Sequence, residues 1–281
     1  MAISTFIPTI WTENLLCELD KQYIAALHCN REYEGEITKM GSVVKICGTG
    51  PITIGDYTKN VNMLSPQTLS ETTKELVINR AKYFNFQIDD VDRAQALPGL
   101  MSSAMKAAAN ALATESDKYI FSLYSASTNR KTFTDVTPEN ILDTIIAARQ
   151  KLYENNVSDA YDVYLEVSPA VATLLLKAKI LQSTDNSDTL ERGCLGMIAG
   201  CKVFVTNSIS KYINADAGTV SYRCMMRTKR AIAYAEQLSE IEAYRPELRF
   251  CDAVKGLHLY GASIVYPDEL YVLEYVLPDA E

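Results

Sequence analysis

The chain has 281 residues, 48% of them hydrophobic and 22% charged, and its formal net charge is −8. This composition indicates a folded protein of one large domain or two subdomains and excludes a disordered chain. The acidic balance argues against a dedicated nucleic-acid-binding protein, whose binding face would be basic. No apolar run approaches the ~18 residues of a membrane-spanning helix, so no membrane partner is expected.

The N-terminus and the cysteines both indicate synthesis in the cytoplasm. Residues 1–4, MAIS, contain no basic segment followed by an apolar one, so no secretion signal is expected. The seven cysteines are irregularly spaced and form no CxxC pair, which predicts reduced, mostly buried thiols. Because the chain has only two histidines, it offers few ligands for zinc, and no cofactor is expected.

The first block, residues 1–34, carries an apolar stripe at helical spacing, which favours a short helix. The stripe follows Pro8 and consists of Trp11, Leu15, Leu16, Leu19 and Tyr23. The helix packs either in the core of its own chain or, as part of an arm, on a neighbouring subunit. The sequence leaves both alternatives open.

The second block, residues 36–88, is β-rich. Residues 42–47, SVVKIC, predict a strand, and the glycines just after it predict a turn. Strand composition resumes at residues 75–78 and 83–88, and in the latter Phe and Ile alternate with Asn and Gln. Together these segments resemble a long two-stranded excursion. An isolated hairpin is only marginally stable in water, so a supporting surface is expected, on the same chain or on another copy.

The longest helix signal covers residues 97–125. Apolar residues recur there at three- and four-residue steps, and the abundant alanines favour helix. A helix of this length would span roughly 43 Å. The acidic residues Asp89, Asp90 and Asp92 precede it and would complement a helix N-terminus. A divalent-cation site is the alternative interpretation of the same cluster.

The remaining chain predicts an α/β unit over residues 134–222 and a strand-rich block over residues 219–281. Thr137 before Pro138, and Ser168 before Pro169, each predict a helix start, because both residue types favour these positions. A polar loop is expected at residues 183–193. Strands are predicted at residues 163–167, 201–206, 230–235, 257–261 and 271–275.

The sequence contains no short catalytic signature of the GxSxG, GxxxxGK[ST] or HExxH type. His28 and His258 are candidate general bases that lack a neighbouring carboxylate in sequence, and Cys194 is a candidate nucleophile. A structural role is the preferred interpretation for each of them. The densest basic group is predicted to project outward and comprises Arg223, Arg227, Lys229 and Arg230.

Five segments carry a family resemblance: residues 6–11 (FIPTIW), 30–37 (NREYEGEI), 83–92 (YFNFQIDDVD), 193–203 (GCLGMIAGCKV, with TNS at 206–208) and 252–262 (DAVKGLHLYGA). The most specific is residues 83–92, which directly precede the long alanine-rich helix. In this order the segments resemble the major capsid proteins of tailed bacteriophages, which have the Hong Kong phage capsid fold. The resemblance extends over nearly the entire chain.

The resemblance implies an α+β fold with four parts. These are an N-terminal arm (residues 1–35), an extended β-hairpin loop (36–88), a peripheral domain with a long spine helix (89–130 and 223–250) and an axial α/β domain (131–222 and 251–281). The implied function is that of a non-enzymatic subunit. It would assemble into pentamers and hexamers and form the icosahedral head shell around double-stranded DNA. An encapsulin-like nanocompartment shell and an enzyme with an unrecognised site are the alternatives.

The resemblance also implies partners and a location. Further copies of the chain, a portal protein and a decoration protein are expected partners, and packaged DNA is expected by proximity only, since an acidic wall does not adhere to it. Because the arm begins at Met1, we expect a separate scaffolding protein. The chain would be assembled in the host cytoplasm and reside in the virion.

The candidate site residues lie in the arm and in the extended loop. Asp56, Tyr57, Lys59 and Lys74 are predicted to contact a neighbouring subunit. Trp11 and Leu15 are predicted to pack the arm.

Overall fold

The computed structural model describes residues 15, 23–33, 41–49, 52–57, 59, 62, 65, 68, 71–89, 100–157, 161–178, 194–215, 217–247 and 251–278. Within these residues the strands are β1 (Val43–Thr49), β2 (Glu71–Val77), β3 (Arg80–Asp89), β4 (Arg130–Phe133), β5 (Val163–Val167), β6 (Cys194–Ile198), β7 (Cys201–Val205), β8 (Lys211–Asn214), β9 (Thr219–Thr228), β10 (Ile232–Tyr244), β11 (Cys251–Ile264) and β12 (Leu270–Pro278). The helices are α1 (Leu100–Ser122), α2 (Ile141–Glu154) and α3 (Pro169–Lys177), with short 3-10 turns at Ala26–His28, Leu123–Ala126 and Pro267–Glu269.

β1 and β2 form an antiparallel two-stranded sheet. Val43 pairs with Val77 at one end, and Thr49 pairs with Glu71 at the other. Along β1 the buried residues Val44 and Ile46 alternate with exposed ones, as expected for a strand with one covered face. The strand predicted at residues 42–47 is therefore confirmed.

β3 does not belong to this hairpin. It pairs with β11, which in turn pairs with β10, so that the three strands form a separate antiparallel sheet. The expectation that residues 83–88 share one two-stranded excursion with residues 42–47 was wrong. The Phe84 ring rests on Gly256 of β11, where an added Cβ would lie 2.6 Å from a ring carbon. The alternation of apolar and polar residues predicted that residues 83–88 form a strand. It did not predict the partner strand, because a period of two fits pairing with either β1 or β11.

The alanine-rich helix predicted over residues 97–125 is present as α1, followed directly by the 3-10 turn Leu123–Ala126. Its 23 residues span about 34 Å. One face is buried in the large core and contributes Met105, Ala109, Leu112, Ala113, Ile120 and Phe121. The helix also contacts β11. Asp90 and Asp92 lie outside the described residues, so their role at the helix N-terminus stays a prediction.

The second half of the chain builds a seven-stranded mixed sheet. Its strand order is β4-β12-β9-β5-β7-β6, and β8 pairs with β9 beside this path. β5 and β7 are parallel, as are β12 and β4, whereas β9 runs antiparallel to both β5 and β12. α3 follows β5 as predicted, because the Ser168 side chain accepts a hydrogen bond from the Val171 amide at 3.3 Å.

α2 begins later than the sequence predicts. The helix starts at Ile141, with Asn140 as its N-cap, and not at Pro138. The Asn140 side chain accepts a hydrogen bond from the Thr137 amide at 2.8 Å and donates one to the Asp135 carbonyl at 2.9 Å. The Asn140 side chain therefore closes a turn over residues 137–140 ahead of the helix, because it binds both the Thr137 amide and the Asp135 carbonyl.

The pairing of the strands groups residues differently from the four parts that the family resemblance implied. β3 and β11 share a sheet with β10, although residues 36–88 and 251–281 were assigned to the extended loop and the axial domain. β9 lies wholly in the seven-stranded sheet, including residues 223–228. The physical reason is that strand pairing joins residues far apart in sequence, which local composition does not reveal.

Candidate assembly surface

The base of the β1–β2 hairpin packs on its own chain. A small apolar core joins Val44, Ile46, Leu76 and Ile78 to Ala233, Ala235, Leu259 and Val265 of the body. Gly261 of β11 allows the close approach, because a Cβ there would lie 2.3 Å from the Val77 carbonyl oxygen. The supporting surface for this end of the hairpin is thus the same chain.

Lys74, one of the predicted inter-subunit residues, is engaged at this base. Its Nζ donates a hydrogen bond to the Val265 carbonyl oxygen at 2.6 Å, and the side chain is half-buried. The ammonium group ties β2 to the segment after β11. A contact of Lys74 with a neighbouring subunit stays a prediction.

The residues beyond the hairpin strands are exposed. Ile52, Ile54 and Tyr57 expose 68%, 93% and 76% of their surface, and Asp56 and Lys59 are exposed as well. Single exposed apolar residues are common on proteins, but here three large ones lie within six residues of the chain. The structure therefore brings Asp56, Tyr57 and Lys59 to one exposed loop and separates Lys74 from them.

The two predicted arm residues differ in what the structure describes. Leu15 is fully buried within the large core of this chain, where it belongs to the same apolar cluster as Tyr23 and Ala25. Trp11 lies outside the described residues. The arm is thus attached to its own body at Leu15, and its contacts with other subunits stay a prediction.

Residues 23–31, which we term the anchor segment, contact a buried ion pair formed by Arg227 and Glu166. Arg227 and Glu166, with fully buried side chains, pair through Nε to Oε2 at 3.0 Å and Nη2 to Oε1 at 2.8 Å. The guanidinium also donates to the backbone carbonyls of His28 and Ala25, at 2.5 and 2.9 Å. The His28 imidazole lies 2.9 Å from Glu166 Oε1. Burial opposes ionisation of Glu166, but Arg227 and His28 outweigh it and hold the carboxyl pKa below its usual value.

The Asp117 side chain of α1 binds the backbone of the anchor segment. The carboxylate accepts hydrogen bonds from the amides of Ile24, Ala25 and Ala26 at 3.0, 3.1 and 3.2 Å. This is the arrangement of a side-chain cap on the 3-10 turn Ala26–His28. Burial outweighs these donors and raises the pKa of Asp117 to about 7.

A third buried carboxylate, Glu236 of β10, binds the two ends of the anchor segment. Tyr23 donates its hydroxyl to Glu236 Oε2, and Arg31 Nη2 lies 2.5 Å from Oε1. From the body, Tyr234 donates to Oε2 at 2.8 Å, and His258 Nε2 lies 2.9 Å from the same oxygen. Despite its burial, these partners hold the pKa of Glu236 below its usual value, led by His258.

The buried charge clusters correct the expectation for Arg227 and add carboxylate partners to the two histidines. Arg227 was predicted to project outward, but it is fully buried, because Glu166 and two carbonyls compensate its charge. His28 and His258 are packed residues, as preferred, yet each has a carboxylate partner far away in sequence. Sequence spacing could not reveal those partners, since Glu166 lies 138 positions from His28.

An exposed arginine–tyrosine cluster lies at the turn after β9. The Arg230 guanidinium stacks on Tyr161 and Tyr266, 4.8 and 4.7 Å from their ring centroids, and lies 3.7 Å from Glu269. Both tyrosines are about two-fifths exposed. Tyr and Arg are enriched in protein–protein interfaces, so this cluster is a second candidate contact.

Neither a metal centre nor a membrane-spanning helix was found among the described residues. They contain no group of three metal-ligating side chains that could hold an ion. No helix among them is long and apolar enough to span a membrane. Cys194, the candidate nucleophile, is the first residue of β6.

Comparison with known proteins identifies the family. Residues 71–273 match the family model described as phage capsid protein. The fold matches a structure from Mycobacterium phage Che8, with 27% identity, a TM-score of 0.70, and coverage of 90% of this chain and 91% of that one. It also matches the capsid of the cyanophage P-SCSP1u, with 14% identity, a TM-score of 0.67, and coverage of 89% and 87%. A search of curated proteins found no match.

The chain belongs to the phage capsid protein family and has the α+β fold of tailed-phage major capsid proteins. It is a structural protein of a virion shell. A virus-like particle from Pyrococcus furiosus is also similar in fold, with 14% identity, a TM-score of 0.55, and coverage of 93% and 96%. The family match and the greater similarity to the Che8 structure favour a phage shell over a nanocompartment.

Proposed function

We propose that this chain is the repeating subunit of an icosahedral phage head, arranged in pentamers and hexamers around double-stranded DNA, and that it performs no catalysis. The observation that carries the proposal is the exposed apolar loop at residues 52–57 on a hairpin whose base is fixed to its own body. A hairpin that is packed on its own body at the base and exposes apolar residues beyond its strands could contact a neighbouring copy of the chain. Assembly buries such surface, and stable interfaces need about 1,200–2,000 Å².

The proposed division into parts follows the sheets. The arm, residues 1–35, leads to the extended loop, residues 36–79. The peripheral domain then combines α1 as the spine helix with β3, β10 and β11, and the axial domain contains the seven-stranded sheet with α2 and α3. This shifts β3 and β11 into the peripheral domain and β9 into the axial domain. The support is strand pairing, since strands of one sheet share a core.

The proposed partners follow from the role of a shell. Copies of the chain are the principal partner, and a separate scaffolding protein, a portal protein and a decoration protein complete the head. Packaged DNA is a partner by proximity, because the net charge of −8 disfavours tight binding to phosphates. Assembly takes place in the host cytoplasm.

The substitution Ile54→Asp tests the loop contact. A charge at this exposed position leaves the isolated chain folded but is unfavourable in an apolar interface. We expect the fraction of chain that sediments as shells, after co-expression with the scaffolding protein, to fall about tenfold or more. Thr68→Asp, which adds the same charge at another exposed position beyond the hairpin strands, is the matched control.

Negative-stain microscopy of the sedimented material completes this test. Wild type and Thr68→Asp should give closed shells, and Ile54→Asp should give unassembled chain with the wild-type circular dichroism spectrum. Wild-type yields of shells from Ile54→Asp would show that this loop makes no assembly contact.

A further inference from the structure

Two links of the chain lead directly from a strand of one sheet to a strand of the other. The turn after Thr228 joins β9 of the seven-stranded sheet to β10 of the three-stranded sheet, and residues 265–269 join β11 to β12. The two links meet, because the Ala231 carbonyl oxygen accepts hydrogen bonds from the amides of Val265 and Tyr266 at 2.9 and 3.2 Å. Two sheets that are joined at one place alone can change their angle, as domains do about a hinge. The angle therefore depends on what else bridges the two sheets.

The anchor segment contacts the seven-stranded sheet through His28. Its imidazole stacks on Tyr164 of β5 and lies against Phe204 of β7, with ring centroids 4.2 and 4.3 Å away. Nδ1 of the same ring lies 2.9 Å from Glu166 Oε1 of β5. From β9, the Arg227 guanidinium donates to the His28 carbonyl oxygen. Three adjacent strands of this sheet thus contact one residue of the segment.

The same segment contacts the three-stranded sheet on both sides of His28. Before it, Tyr23 donates its hydroxyl to Glu236 of β10, and after it, Arg31 binds the same carboxylate. Asn30 adds two backbone hydrogen bonds of 2.9 Å with β10. The segment therefore spans the corner at which β9 turns into β10, with attachments on both sides of that corner.

The anchor segment is part of the folded core. Tyr23 and Ala25, together with Leu15 just before the segment, are buried in the large apolar cluster. The buried Asp117 of α1 binds three consecutive amides of the segment, those of residues 24–26. A close-packed segment with a fixed backbone transmits the position of one sheet to the other, because packed interiors deform little.

We propose that the anchor segment fixes the angle between the three-stranded and the seven-stranded sheet. It does so by binding β5, β7 and β9 on one side of the corner and β10 on the other. In a shell of identical copies, a fixed angle gives every copy the same shape, on which closed symmetric assembly depends. That consequence rests on the proposed function, whereas the fixed angle is a property of the single chain.

Distances between two spin labels on the unassembled full-length chain test the proposal. Labels at Tyr83 of β3 and Met197 of β6, both exposed, report on the angle between the sheets. Labels at the exposed Lys131 of β4 and at Met197 report on the seven-stranded sheet alone. Attachment of the labels to noncanonical residues leaves the seven native cysteines unchanged.

The double variant Tyr23→Phe with Arg31→Met removes both side-chain bonds from the segment to Glu236. The carboxylate keeps Tyr234 and His258 as donors, so it is not left unpaired. We expect the distribution of distances between positions 83 and 197 to become at least about twofold wider, with the distribution between positions 131 and 197 unchanged.

A matched control makes the same two kinds of substitution within single sheets. Tyr234→Phe removes a bond within β10, and Arg223→Met removes an ion pair between β9 and β12. This double variant should leave both distance distributions as in the wild type.

His28→Leu releases the opposite end of the segment from the seven-stranded sheet. Glu166 and Arg227 stay paired through two hydrogen bonds, so no buried charge loses its partner. The distribution between positions 83 and 197 should widen in this variant too.

Three results would overturn the proposal. The first is a wild-type width between positions 83 and 197 in a folded anchor variant, with folding checked by circular dichroism. The second is equal widening in the control variant, because the loss of any buried bond would then loosen the angle. The third is unfolding of both anchor variants, which would make the segment necessary for the fold and not for the angle alone. No readout involves assembly, so a failure here leaves the proposed shell function untouched.

Discussion

The hairpin base and the anchor segment attach to opposite faces of the same strand, β10, by different physical means. Ala233 and Ala235 point into the small apolar core beneath the hairpin. Tyr234 and Glu236, which alternate with them, face the anchor segment. The alternation follows from strand geometry, in which successive side chains point to opposite faces.

Because one attachment is apolar and the other is polar, the two should respond differently to substitution and to pH. Apolar packing at the hairpin is non-directional, so its strength follows the buried area and the fit of the backbones. The anchor segment depends on buried charges that must all be compensated, so the loss of one partner is costly. Charged groups also make that attachment dependent on pH, which apolar packing is not.

The largest effect is expected from Arg227→Met. The variant leaves Glu166 buried without its guanidinium partner, and we expect the free energy of unfolding to fall by about 3–5 kcal/mol in urea denaturation of the unassembled chain. Arg223→Met is the matched control on the same strand. Its partner Glu274 is partly exposed, so the loss should be about 1 kcal/mol or less. Equal losses would refute a special role for the buried cluster.

A smaller effect is expected from Gly261→Ala at the hairpin. The added Cβ meets backbone, 2.3 Å from the Val77 carbonyl oxygen and 3.1 Å from Ile78 Cα, so the hairpin base must move. We expect a loss of about 1–3 kcal/mol in urea denaturation and faster proteolysis of the hairpin. Gly256→Ala meets only side chains, chiefly the Phe84 ring, and should leave hairpin proteolysis unchanged. Unchanged proteolysis in Gly261→Ala would contradict the close contact.

The smallest effect is expected from a change of one pH unit, and it arises at the contact between Asp117 and the anchor segment. Between pH 5 and 7 the native Asp117, with a pKa of about 7, retains a proton that the unfolded carboxyl has released. Its contribution to stability therefore falls as pH rises, by up to about 1.4 kcal/mol per pH unit. Glu166 and Glu236, whose pKa values are lowered, act only at more acidic pH.

Asp117→Asn isolates this contribution from that of Glu166, which lies in the neighbouring cluster. Both proteins are unfolded in urea at pH 5, 6 and 7. As pH rises, the free energy of unfolding of the wild type should fall relative to that of Asp117→Asn. A difference that is constant over this range would show that Asp117 does not titrate there.

Much of the fold was predictable from local pattern. The alanine-rich α1, the strands β5, β7 and β12, and the helix start at Ser168 follow from periodicity and capping chemistry, which act over a few residues. The start of α2 was missed because the Asn140 side chain closes a turn on the Thr137 amide and the Asp135 carbonyl before the helix.

The sequence by itself determined the elements, the acidic surface and, through the order of its segments, the capsid family. Tertiary structure alone decided which strands pair and which charges meet. β3 joined β11 and not the hairpin, and Arg227 was buried against Glu166, 61 positions away. The reason is that helix and strand periodicity is a short-range property, whereas pairing and charge compensation depend on groups that only folding brings together.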